Sequence, residues 1–132
     1  MNEVARTITV DDALKGNKKL TSIAIDSINF MESDKTIKRI AIHTPDGVFY
    51  TIGSLTYWFS SLTDTGYDFI KADRNVLINV SNIREMDKGY NKAYFSTEND
   101  AGCFLSEKGY AKVKAKIMKE AYNVKFLESP IW

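Results

Sequence analysis

The chain has one cysteine, Cys103, and one histidine, His43, among its 132 residues. A single cysteine cannot close an internal disulfide, which fits a reducing compartment. One His and one Cys cannot assemble an ordinary His/Cys zinc site. With no second Cys and no activating motif beside it, Cys103 reads as a small packed strand residue rather than a redox centre. No stretch reaches the roughly 18 apolar residues of a membrane-spanning helix. The start, MNEVARTITVDD, lacks the basic region and apolar run of a secretory leader. There is no Gly-rich phosphate loop, no G-x-S-x-G and no paired-Cys spacing. His43 has no evident nucleophile or acid partner along the chain. Active sites usually show clustered titratable residues, so these absences argue against an enzyme and against a bound cofactor or metal. Repeats and low-complexity tracts are also missing. The expectation is a cytoplasmic, non-catalytic protein.

Charge excess of one sign is missing too. The formal net charge is +1, which neither supports nor excludes a nucleic-acid partner, because a local basic face matters more than the total. The distribution is uneven, with residues 1–34 on the acidic side and residues 35–132 on the basic side.

What is present is 44% hydrophobic and 12% aromatic residues, enough for one domain with one real core. Thr7 to Val10 is a β-branched strand. Gly16 and Asn17 mark a turn. Ile23 with Ile25, and Ile28 with Phe30, share faces across a change of phase at Asp26-Ser27. Glu32 to Thr36 reads as a charged loop and Lys38 to Thr44 as a strand. Thr44-Pro45-Asp46-Gly47 has a type I turn pattern, and Val48 to Ile52 returns as the second hairpin arm. Gly53 breaks that strand and Ser54 caps a short helix whose inner face is Leu55, Trp58, Phe59 and Leu62. Strands follow at Tyr67 to Lys71, at Arg84 to Asp87 with Lys92 to Ser96 as a hairpin, and at Cys103 to Leu105. Glu98 to Gly102 is a turn. Ser106 caps a final helix with Tyr110, Val113, Ile117 and Ala121 on its buried face. Phe126, Leu127, Ile131 and Trp132 imply that the tail packs on the body or on a partner. Turn signals recur about every 8–12 residues, as in a mainly antiparallel β domain.

One stretch is not generic: Phe69 to Ile83, F-I-K-A-D-R-N-V-L-I-N-V-S-N-I. Its polar residues stand at fixed places among apolar anchors. With Phe30-Met31-Glu32-Ser33 upstream, it resembles the LytTR DNA-binding domain of bacterial transcription regulators. That family's signature has an aromatic, a His-Arg-Ser-like triplet, an apolar pair followed by Asn, and a later Ile. Phe69, Arg74, Leu77, Ile78, Asn79 and Ile83 fill those places, and the resemblance covers about residues 18–120. Two positions depart: Asp73 stands where the family has His, and Asn75 where it has Ser. Asn75 keeps a hydrogen-bonding side chain. Asp73 on a phosphate-facing surface would be mildly repulsive.

The resemblance implies a mainly β fold, an elongated antiparallel multi-sheet domain of about ten short strands with a short internal helix and a C-terminal helix. It implies DNA reading by three loops rather than a recognition helix, with Lys38, Arg74 and Lys108 at the base-contacting places. Lys and Arg are the side chains that read guanine O6 and N7. Lys35, Arg39, Lys71 and Lys112 would flank them on phosphates. Lys108 would also lie near a helix N-terminus, where backbone amides favour phosphate. Arg74 has a second reading, an ion pair with Asp73 or Asp68, but its planar guanidinium suits base edges and phosphate. Asn79 and Asn82 read as structural. The family typically places two protomers on direct repeats. The roughly 20 residues ahead of the resemblance are too few for a receiver domain, so either the chain is a fragment or control is expected from a partner protein, a ligand or expression level. The rival is a protein-interaction module, an anti-regulator that keeps the fold without binding DNA. Acidic side chains interrupting the basic edge would favour that rival.

Overall fold

The computed structural model describes residues 6–11, 20–36, 38–96 and 100–129. Their strands are β1 (Thr7–Asp11), β2 (Leu20–Ala24), β3 (Phe30–Asp34), β4 (Arg39–Thr44), β5 (Gly47–Thr51), β6 (Phe69–Asp73), β7 (Val76–Asn79), β8 (Glu85–Asp87), β9 (Lys92–Tyr94), β10 (Cys103–Phe104) and β11 (Lys125–Leu127). Two α-helices interrupt them, α1 (Leu55–Asp64) and α2 (Glu107–Glu120). One sheet has the order β2-β1-β5-β4-β3-β7-β6 and a second has β10-β9-β8-β11. The expected mainly β architecture with one internal and one C-terminal helix is therefore present.

Period-two alternation divides the buried residues between two cores. On β7, Val76 and Ile78 join one core while Leu77 joins the other. On β3, Phe30 and Met31 divide the same way. A central strand covered on both faces needs a continuous apolar run, and V-L-I is that run. The first core receives Tyr110, Val113 and Ile117 of α2 together with Met86, Ala93 and Cys103 of the small sheet. The second receives Leu55 and Leu62 of α1. Ser54 Oγ accepts from Tyr57 N at 3.0 Å and opens α1, a side-chain cap for an otherwise unpaired amide.

Three local readings change. Glu32 to Asp34 is strand rather than loop, because Glu32 and Asp34 pair with Ala41 and Arg39. The following strand starts at Arg39, and Lys38 sits in the preceding turn at φ 52. Ala121 is not on the buried face of α2; it is the exposed left-handed C-cap, φ 56 and ψ 38. The tail turns back on the body, one of the two placements expected for it. β11 pairs with β8, and this pairing is parallel where the other strand pairings among the described residues are antiparallel. Gly89 is needed there, since a Cβ at this position would lie 1.8 Å from Ser129 O. Gly16-Asn17 and the tail residues Ile131 and Trp132 lie outside the described residues, as does part of the Glu98–Gly102 turn.

Candidate nucleic-acid interface

The connection from β3 to β4, which carries Lys35, Thr36 and Lys38, and the turn joining β6 to β7, Arg74-Asn75, leave the large sheet at the same end. Glu32 pairs with Val76 across β3 and β7. Two residues on, Ser33 N donates to Asn75 O at 3.0 Å, so the two turns lie side by side. A cleft between them is lined by Glu32, Ser33, Asp34, Lys35, Arg74 and Asn75. The first turn is itself shaped by Asp34, whose Oδ1 accepts from Thr36 N at 2.9 Å, a short polar side chain replacing a backbone partner.

The start of α2 is fastened to the same edge by Asp73. Its carboxylate accepts from Ser106 N at 2.9 Å and from the Ser106 hydroxyl, while Ser106 Oγ accepts from Gly109 N at 2.9 Å. In a capping box, an acidic or amide side chain three residues into the helix returns to the N-cap amide. Here that position is Gly109, and the acid comes from another element. Space requires the glycine: a Cβ there would lie 2.5 Å from Asp73 Oδ1. Two contacts thus chain three segments together. Ser33 to Asn75 joins the first pair, and Asp73 to Ser106 joins the second pair. Lys38, Arg74 and Lys108 are carried to one edge of the fold, all three exposed.

The remaining expected site residues divide into free and engaged. Lys35 and Asn75 are exposed beside Arg74. Among the described residues, no ion pair engages Lys35, Lys38, Arg74 or Lys108. The ion pair considered for Arg74 is absent, because Asp73 serves Ser106 while Asp68 takes Lys116 Nζ at 3.5 Å and the Tyr122 hydroxyl at 2.6 Å. Arg39 is half-buried and meets Asp11 at 3.5 Å. Lys71 Nζ donates to Thr56 Oγ1 at 3.3 Å, and Lys112 Nζ donates to Lys71 O at 2.6 Å. Arg39, Lys71 and Lys112 each already hold a protein contact, which uses only part of their donor capacity.

Acidic groups stand on the same edge. Glu32 and Asp34 line the cleft with Lys35 and Arg74, and Glu107 is exposed next to Lys108. Glu32 meets His43 Nε2 at 2.8 Å, and the His43 ring stacks on Phe30 with centroids 4.0 Å apart. This His–carboxylate pair is a cross-strand contact whose ring is held against a core aromatic. Burial pushes the Cys103 thiol up to about 12, with Glu32, Asp73 and Asp100 adding to the effect, so it stays protonated and unreactive near neutral pH. Among the described residues no group of His, Cys, Asp and Glu is placed to hold a metal ion. No described helix is long and apolar enough to cross a membrane.

Asp73 is the residue whose part the sequence concealed. Its bonds lie toward α2, not toward the solvent edge. The available signal was the helix start S-E-K-G, an N-cap serine with glycine where a capping box would carry its acid. Those bonds also change the reading of Lys108. The Ser106 and Gly109 amides are already satisfied, so any attraction for phosphate there rests on the Lys108 ammonium and the backbone amides of Glu107 and Lys108. Asn79 and Asn82 brace the segment after β7: Asn79 Nδ2 donates to Ile28 O at 2.9 Å and Asn82 Nδ2 to Asp26 O at 2.7 Å.

The family model for the LytTr DNA-binding domain matches residues 18–118. A solved structure from Bacillus cereus, described as a LytTr DNA-binding domain, is similar with a TM-score of 0.62 and 16% identity, covering 88% of this chain and 98% of that one. At that identity the likeness establishes the fold. The search of curated proteins found no match.

Proposed function

Because the chain belongs to the LytTr DNA-binding domain family, we propose that it is a sequence-specific transcription regulator that reads major grooves with loops rather than a recognition helix. The observation that carries this reading is the edge built from the two turns and the start of α2, with Lys35, Lys38, Arg74 and Lys108 exposed along it. Arg74 suits the bidentate contact to guanine, and Lys38 and Lys108 are further donors for base edges. Lys35 beside them suits phosphate, as do Arg39, Lys71 and Lys112 through their remaining donors. Asn75 adds a side-chain amide on the same turn. The inner face of α2 is committed to the core through Tyr110, Val113 and Ile117, which favours loops over this helix as the reading element.

On this reading the chain acts as one LytTr domain, without catalysis, in a bacterial cytoplasm. Two protomers occupy direct repeats and associate weakly without DNA. A second reading is favoured by one observation: Glu32 and Asp34 share the cleft with Lys35 and Arg74. An anti-regulator that keeps the fold and binds protein would tolerate that mixed charge. Fluorescence anisotropy on mixed-sequence duplex DNA, at low and moderate salt with Arg74→Ala alongside, separates the two. The DNA reading expects affinity that falls steeply with salt and falls again in the variant. A folded protein that binds nothing at low salt would leave the anti-regulator reading.

A further inference from the structure

The end of β5 and the start of α1 form an aromatic corner that belongs to none of the three reading segments. Ile52 is 66% exposed and Tyr57 is 60% exposed. Large apolar side chains at that exposure are ordinary when scattered and informative when grouped. Here they are grouped and held in place. The Trp58 indole donates to Ile52 O at 3.0 Å, and the Tyr57 ring meets the Trp58 ring edge-on with centroids 5.3 Å apart and planes at 82°. Gly53, between them, takes φ +108 and leaves its missing Cβ 3.3 Å from Trp58 Nε1.

The corner adjoins the basic edge. Gly53 is one wall of a cleft whose other walls include Lys35, Lys38 and Arg39, with Asp34 the one acidic side chain among them. The register Ile40 to Thr51 places Ile52 level with the start of β4. On its other flank, Thr56 accepts from Lys71. An apolar knob with a phenol, bordered by four cations, is suited to a polyanion with apolar sugars between its charges. A small knob of this kind is far below the roughly 800 Å² per partner of a stable protein interface.

We infer that Ile52 and Tyr57 form a fourth contact on the same duplex: the Tyr57 ring packs on a deoxyribose, and its hydroxyl donates to the adjoining phosphate. The contact is sequence-independent, since it touches sugar and phosphate only. It extends the protein's footprint along one strand past the turn that carries Lys38. It rests on the DNA-binding reading above.

The test uses the full chain and fluorescein-labelled mixed-sequence duplex DNA, with wild type, Arg74→Ala, Tyr57→Ala and Tyr57→Phe compared in one buffer. Tyr57→Ala is expected to weaken binding about tenfold, since a hydrogen bond to a charged acceptor plus a ring contact supplies about that ratio. Tyr57→Phe is expected to lose part of it. Thermal melts of the variants check folding, which an exposed ring should barely affect. If wild type binds, Arg74→Ala weakens it and both Tyr57 variants match wild type, the fourth contact is overturned while the DNA-binding reading stands. If wild type binds no DNA, that reading fails and takes this inference with it. Self-association lost in Tyr57→Ala, with DNA binding unchanged, would also overturn the inference by assigning the corner to a second copy.

Discussion

Asp73→Ala separates two accounts of the same residue. Read from sequence, Asp73 repels the DNA backbone, and removing it should tighten binding. Read from the structure, Asp73 fastens α2 to the β6–β7 turn, and removing it should loosen the edge. The carboxylate accepts two bonds from Ser106, at its amide and its hydroxyl. Bonds to a charged group contribute about 1.5–3 kcal/mol when buried, and an acid at a helix N-terminus about 0.3–1 kcal/mol. Asp73 is half-buried, which reduces both figures, so a cost of about 2 kcal/mol is expected. For a chain of this size that lowers Tm by roughly 6–10 °C. DNA affinity should fall too, because Arg74 is the next residue and Lys108 belongs to the first turn of α2. The assays are a thermal melt and a salt-matched anisotropy titration. A Tm unchanged within about 2 °C, or tighter DNA binding at every salt concentration, would refute the fastening role. Gly109→Ala supplies an independent check, since its Cβ would lie 2.5 Å from Asp73 Oδ1; it should reproduce the loss with the carboxylate still present.

Three further outcomes are expected. Lys38 holds a left-handed backbone at φ 52, which costs a non-glycine residue about 1–2 kcal/mol; Lys38→Gly should raise Tm by a few degrees while weakening DNA binding, and a melt with a titration reads both. Asp87 is 4% exposed; burial raises its pKa, but hydrogen bonds from Ser129, Gly89 and Tyr90 outweigh that and hold it below 3.8. Its folded pKa is therefore depressed, so its stabilisation is present above the unfolded value and is lost as pH falls through the folded one. Asp87→Asn should lower stability near neutral pH and flatten the acid limb below about pH 4 in urea melts. Gly89→Ala should dislodge the tail, whose Ser129 O would lie 1.8 Å from the new Cβ, costing about 1–3 kcal/mol and speeding amide exchange at Lys125 to Leu127.

The parts legible in sequence were those written in local periodicity. Alternation placed most strands, the i, i+3, i+4, i+7 run of Leu55 to Leu62 placed α1, and both serine caps were visible as caps. Ala121 was misplaced because spacing alone does not reveal where a helix stops; a left-handed residue ended it. β11 was missed because its partner β8 lies about 40 residues upstream in chain order, and a two- or three-residue pairing leaves no periodic trace. The basic positions Lys38, Arg74 and Lys108 could be chosen individually, but their meeting on one edge depends on Ser33 with Asn75 and Asp73 with Ser106. Such long-range contacts have no signature in a single sequence. The aromatic corner was legible only as core: Trp58 was assigned inward, and Tyr57 stood on the face the helix pattern leaves to solvent.

The most direct test of the central claim is an amide chemical-shift titration of the labelled chain with duplex DNA at about 50 mM salt, where phosphate contacts are strong. The account predicts that the largest shifts fall in residues 34–39, 73–76 and 106–109, with a smaller group at 52–57. Shifts confined to the outer face of α2 or to the β8–β11 end, with those turns unmoved, would contradict it.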